Sequence, residues 1–150
     1  GALTVKGFTE HLKSLLPLAS VITPNTPEAQ RLARQPFALP DQEQALIDDL
    51  TAQGAKAILL KGGHESGVML RNRLYNNGQL QQTSQWPRLP GEFHGSGCTL
   101  ASAIAAGLAL GLSLPIAVTR AEVWLQQTLR AADHPHTGGQ AIPRRLPSVF

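Results

Sequence analysis

In "HGSGCTLASAIAAGLALG", His94 to Gly111, a glycine turn opens a helix, and the only cysteine of the 150 residues stands in that helix's first turn. The first amides of a helix have no intrahelical acceptor, and the aligned peptide dipoles place roughly half a positive charge there. Phosphate is the natural guest of such an end. Gly95 and Gly97 would let the backbone approach an anion without Cβ atoms in the way, and Ser96 adds a hydroxyl. Cys98 sits in the same field, which favours thiolate over thiol. Such a group could accept a proton from a substrate hydroxyl while the amides hold a transferred phosphoryl group. The plainer reading is a tight turn before a packed helix, with Cys98 as a small buried hydrophobe.

Two other stretches carry polar groups at strand ends, where ligands bind in open α/β sheets. "NTPE" places Asn25 and Glu28 directly after a short apolar run, hard oxygen donors that suit magnesium held through water. Their structural alternative is that Asn25 caps a turn and Glu28 favours a helix N-terminus. "LLKGGH" ends a second apolar run with Lys61, a ready phosphate ligand or else a solvated strand-end lysine, and with His64, read as a loop histidine.

The elements that must position these groups follow from the patterning. Leu12, Leu15 and Leu16 recur at helical spacing from Thr9 to Leu16, and Pro17 closes the segment. Ser20 to Thr23 reads as a strand, and a helix starts at Pro27 with Glu28 in its first turn. Asp41 to Gly54 reads as a helix capped by Asp41, with Leu46, Ile47 and Leu50 as its stripe and Gly54 as its stop. "AKAILLKGG" is a continuous apolar strand of the kind buried on both faces of a parallel sheet. Asn77-Gly78, flanked by Leu74, Tyr75 and Leu80, signals a hairpin at the sheet's edge. A helix then runs to about Leu112 on Leu100, Ile104 and Leu108. A second, from Ser113 to about Ala132, has Pro115 near its first turn and Ile116, Val118, Val123, Leu125 and Leu129 as apolar positions. The expected fold is α/β: a largely parallel sheet flanked by helices, with a peripheral hairpin and a loop-rich tail at 133–150.

Composition narrows the function classes. Hydrophobic residues make up 42% and charged residues 15%, the balance of a chain with a large core. A single cysteine excludes an internal disulfide framework and fits a reducing cytoplasm. No charged segment followed by an apolar one opens the sequence, so no signal peptide is expected. The longest apolar run, Leu100 to Leu114, falls short of the roughly 20 residues of a membrane span. The net charge of +3 is carried by scattered arginines without interleaved aromatics, which argues against a nucleic-acid partner and suits a small anionic ligand.

"VITPNTPEA", "ILLKGGH" and "HGSGCTLASAIAAGLALG", in this order and at these separations, resemble the hydroxymethylpyrimidine/phosphomethylpyrimidine kinases of thiamine biosynthesis, members of the ribokinase-like superfamily. The resemblance runs from about residue 1 to 132, and G-S-G-C-T is its most specific part. Most ribokinase-like sugar kinases carry aspartate where Cys98 stands. The resemblance implies ATP and magnesium, an anion hole at Gly95, Ser96 and Gly97, and Cys98 in the catalytic position. It also implies Lys61 on the ATP phosphates, Asn25 and Glu28 organising magnesium, a small pyrimidine substrate and a homodimer in the intact protein.

The sequence departs from the family in length and in its tail. Members are nearly twice as long, so 1–132 corresponds to the C-terminal half of their kinase domain, which makes this chain an incomplete enzyme half. The tail lacks a lysine that many members carry, and "HTGGQAIPRRL" offers only Arg144 and Arg145 nearby, a departure that counts against a phosphate clamp from the tail. Two other readings stand beside the pyrimidine kinase. One is a pyridoxal kinase of the same superfamily. The other is a non-catalytic remnant that holds a nucleotide or a partner domain, whose open sheet edge would make it self-associate.

Overall fold

The computed structural model describes residues 7–63, 67–133 and 139–145, and the chain divides into two units, 1–85 and 86–150. His64 lies outside the described residues.

In the first unit, α1 (Phe8–Leu15) runs into a short 3₁₀ turn, Leu16–Leu18, which Pro17 favours because it has no N–H to continue the α ladder. The segment that follows forms no named strand, contrary to the strand expected at Ser20 to Thr23. It makes two parallel bridges instead, Ile22 with Ile58 and Asn25 with Lys61. Helix α2 (Thr26–Leu32) starts at Asn25. Helix α3 (Glu43–Ala52) starts at Gln42, not at Asp41. Asp41 lies in a turn in which the Gln42 amide donates to the Ala38 carbonyl and the Ala38 amide donates back to the Gln42 side chain.

The stop of α3 at Gly54 is as expected, and its chemistry is explicit. Gly54 has φ +104°, its amide donates to Thr51, and the Ala55 amide donates to Leu50. This is the double bond pattern of a helix ending in a left-handed residue. A Cβ at Gly54 would also stand 2.6 Å from the Pro17 ring.

Strand β1 (Ala57–Leu60) is buried at every position, as its continuous apolar run requires. Leu46, Ile47 and Leu50 of α3 pack with Ile58, Leu60 and Tyr75 in the core. Each such fully buried aliphatic side chain contributes about 1.5–3 kcal/mol. The three-stranded sheet, order β1-β2-β3, is completed by β2 (Met69–Asn76) and β3 (Gln79–Pro87). Asn77 at φ 49° and Gly78 at φ 78° form the hairpin turn between them, both left-handed as a two-residue turn of this kind demands.

The expectation of a largely parallel sheet is corrected here. β1 and β2 are antiparallel, with Ala57 opposite Asn76 and Leu60 opposite Arg73. The link between Leu60 and Met69 is shorter than the dozen or more residues a parallel crossover needs. On β1, parallel pairing comes only as the isolated bridges from residues 22–25 among the described residues.

In the second unit, α4 (Ser96–Ala109) and α5 (Leu114–Arg130) pack on each other through small residues. A Cβ at Gly107 would stand 3.0 Å from that of Ala117. The α4 stripe holds for Leu100 and Ile104, which are buried. The helix ends at Ala109 because Gly111, at φ 82°, turns the chain. On α5 the buried residues are Ala117, Val118, Ala121, Glu122, Gln126 and Thr128, whereas Ile116 and Val123 are exposed. The close approach of Gly107 calls for a small side chain at Ala117. Among the described residues, no helix is long and apolar enough to cross a membrane.

Candidate active site

The glycine turn of the second unit opens α4 without a side-chain cap. Gly95 adopts a left-handed conformation, φ 78° and ψ 10°, and no side chain caps the helix it starts. The first backbone bond of α4 runs from the Thr99 amide to the Gly95 carbonyl, 2.9 Å. The amides of Ser96, Gly97 and Cys98 therefore precede the ladder and have no intrahelical acceptor. Cys98 is exposed, a free thiol on the wall of a cleft of about 770 Å³ between α4 and α5. The reading of Cys98 as a buried hydrophobe is thus replaced by an accessible thiol. Ser102, Ala106 and Leu110 continue this wall at helical spacing, and Ala121 and Trp124 face them from α5.

Thr99 and Arg145 were not singled out by the sequence reading as working together. Thr99 Oγ1 donates to the Gly95 carbonyl at 2.8 Å and accepts from Arg145 Nε at 2.9 Å. A Cβ added to Gly95 would stand 2.7 Å from Arg145 Nη2, so the guanidinium lies directly on the turn. The described part of the tail, 139–145, is fastened to the rest of its unit. The His94 amide donates to the Ala141 carbonyl, the Ala141 amide to Glu92, and the Arg144 amide to the Thr128 carbonyl. Those bonds carry Arg145 to the mouth of α4. Nothing local in "AIPRRL" signals this, because the partners are 46 residues apart in the chain.

In the first unit, Asn25, Glu28 and Lys61 come together at the ends of two adjacent parallel segments. The Lys61 amide donates to the Pro24 carbonyl at 2.9 Å, and Lys61 is half-buried. Asn25 and Glu28 form a reciprocal capping box: Asn25 Oδ1 accepts from the Glu28 amide and Glu28 Oε2 from the Asn25 amide, both at 2.8 Å. The structural alternative for this pair is therefore realised. It leaves room for magnesium, since the box occupies one oxygen of an exposed carboxylate, and magnesium is commonly held by one or two carboxylates, waters and substrate phosphates. Among the described residues no three His, Cys, Asp or Glu side chains cluster as a complete metal cage.

A second polar cluster in this unit had no sequence signal. Arg73 Nε pairs with Glu43 Oε1 at 2.8 Å, and the Tyr75 hydroxyl donates to the same oxygen. Burial, then the bond to Glu43, pushes the Tyr75 hydroxyl well above its ordinary value near 10.

The fold is ribokinase-like α/β, with an uncapped glycine turn opening α4 in one unit and, in the other, Lys61 beside the Asn25 and Glu28 that start α2. The structure superposes on the pyridoxal kinase of Staphylococcus aureus in complex with AMP-PCP with a TM-score of 0.79 at 25% identity. That match covers 95% of this chain and 53% of the other. More specifically, the model of the phosphomethylpyrimidine kinase family matches residues 2–144, and the chain belongs to that family. It is similar to hydroxymethylpyrimidine/phosphomethylpyrimidine kinases of Rhizobium meliloti and Mycobacterium tuberculosis. The first is 37% identical over 85% of this chain and 48% of the relative; the second is 40% identical over 79% and 43%. The chain thus spans about half the length of the curated relatives it matches.

Proposed function

We propose that this chain carries the nucleotide-holding and catalytic half of an ATP-dependent kinase. Its acceptor is hydroxymethylpyrimidine or its monophosphate, a substrate of thiamine biosynthesis. The observation that carries the reading is the set of amides at Ser96, Gly97 and Cys98, outside the helical ladder and beside an exposed thiol. In this reading the substrate hydroxyl oxygen attacks the γ-phosphorus of ATP. The new O–P bond forms as the bond to the bridging oxygen breaks and ADP leaves. The Gly95–Cys98 turn holds the transferred group, and the Cys98 sulfur takes the hydroxyl proton. Lys61 pairs with the ATP phosphates. Magnesium, when bound, neutralises phosphate charge, and Glu28 would hold it through water beside Asn25.

The pyrimidine is favoured over pyridoxal as acceptor because the relatives at 37–40% identity are named for the pyrimidine, whereas the pyridoxal kinase stands at 25%. A homodimer and a cytoplasmic setting belong to the same proposal. The deciding experiment is ATP binding by calorimetry to the chain and to Gly97→Val. A branched Cβ at Gly97 stands where the anion must approach, so the affinity falls by roughly tenfold or more on loss of charge-assisted bonds. Equal ATP affinity in the two proteins would remove the anion hole.

A further inference from the structure

Arg145 is the one cationic side chain among the described residues whose guanidinium is shown lying on the glycine turn. Its placement is specific. Nε donates to Thr99 Oγ1 at 2.9 Å, and the same hydroxyl donates to the Gly95 carbonyl at 2.8 Å. The relay Arg145–Thr99–Gly95 therefore fixes the plane of the guanidinium against the backbone that starts α4. Nη2 lies on the Cα side of Gly95, a side kept open only because residue 95 has no Cβ. Arg145 and Cys98 line the same cleft. A guanidinium presents several donors in one plane and matches a phosphoryl group bidentately, and anchoring one nitrogen on a threonine leaves the others already oriented.

We propose that Arg145 is a phosphate-binding residue of this site: held by Thr99, it pairs with the phosphoryl group that the amides of Ser96, Gly97 and Cys98 cradle. Thr99 is a positioning residue in this arrangement. The proposal rests on the phosphoryl-transfer reading of the turn and adds to it the source of full positive charge, which backbone amides alone do not supply.

The test is calorimetry on the 150-residue chain with ATP and with adenosine, at low and high salt, for Arg145→Gln, Arg145→Lys, Thr99→Val and Thr99→Ser. Losing a charged hydrogen-bonding partner weakens ATP by roughly 10- to 100-fold in Arg145→Gln. Adenosine is unaffected, the salt dependence of ATP binding flattens, and Arg145→Lys retains part of the affinity. Thr99→Val weakens ATP several-fold and Thr99→Ser restores it, an arm that stands even if Arg145→Gln fails to fold. A merely structural tail contact gives a different pattern, with ATP and adenosine weakened alike in step with a lower melting temperature, and that pattern overturns the proposal. ATP binding by the unaltered chain together with unchanged binding in Arg145→Gln overturns the role of Arg145 and leaves the turn standing. No ATP binding by the unaltered chain overturns both.

Discussion

Asn25 and Lys61 are bridge partners on adjacent parallel segments, tied by the Lys61 amide donating to the Pro24 carbonyl at 2.9 Å. The pairing brings a cation and the start of α2 to one end of the sheet, the position from which α/β folds commonly hold ligands. If Lys61 meets ATP phosphates there, Lys61→Gln weakens ATP by roughly tenfold or more through loss of a charged partner. Lys61 lies at a half-buried strand end, so stability to urea changes little. Calorimetry and urea titration on the same variant check both halves.

Asn25 and Glu28 combine two roles that substitution separates. Asn25→Ala removes the side chain that caps α2 and costs about 1 kcal/mol of stability. Glu28→Gln keeps the reciprocal hydrogen bond, since glutamine serves equally in a capping box, but removes the negative charge. It leaves the urea midpoint nearly unchanged and weakens the magnesium dependence of ATP binding. Identical magnesium dependence in Glu28→Gln and the unaltered chain would assign Glu28 to the cap alone.

Tyr75 predicts a pH effect whose sign is fixed. Burial, then its bond to Glu43, raises the folded-state ionisation of Tyr75 above the ordinary value near 10 that the unfolded chain retains. A raised folded value means that the stabilisation is complete below about pH 10. Above that the unfolded chain releases its proton first, and stability falls as pH rises, by up to about 1.4 kcal/mol per unit from this group. Tyr75→Phe is less stable near neutral pH, because Glu43 loses a donor, and shows a shallower decline above pH 10. Urea unfolding at pH 7 to 11 in both proteins checks it; parallel alkaline declines would sink the assignment.

What the sequence made legible were features with local causes. The Asn77-Gly78 turn, the stop at Gly54, the burial of Ala57 to Leu60 and the glycine turn before Cys98 each follow from a few adjacent residues. Strand direction was misread because an apolar run shows burial on both faces, not the direction of its neighbours; the short link after Leu60 was the better clue. On α5, counting large apolar residues passed over the buried Ala117 and Ala121, and the smallness of Ala117 is what lets Gly107 approach. The Arg145–Thr99 bond had no signal, since a loop without periodicity carries none and the bond is set by the fold. Glu43 with Arg73 and Tyr75 was hidden for the same reason: a buried ion pair looks like exposed charge in a sequence.

Cys98 is where the proposed chemistry is most open to refutation. The thiol is exposed at the start of α4, beside amides that the helical ladder does not use. Holding ATP needs those amides and nearby cations, none of which Cys98→Ala removes, so nucleotide affinity stays within about twofold on a contact of this small size. In the proposed chemistry, proton removal from the substrate hydroxyl does need the Cys98 sulfur. In protein that turns over, meaning this chain together with the remaining half of the kinase domain, Cys98→Ala cuts phosphoryl transfer by roughly 10²–10⁴-fold, the usual contribution of a general base. Cys98→Ser rescues little, because a hydroxyl is far less acidic than a thiol and supplies no base near neutral pH. The chain assayed by itself shows no transfer, since the relatives it matches are about twice its length and orientation of the acceptor accounts for many kcal/mol of such a barrier. The measurements are ATP calorimetry on the chain and ADP release with hydroxymethylpyrimidine, for the chain alone and with the complementary half. Full transfer in the alanine variant would take Cys98 out of the mechanism, and full transfer by the chain alone would show that its own residues already orient the acceptor.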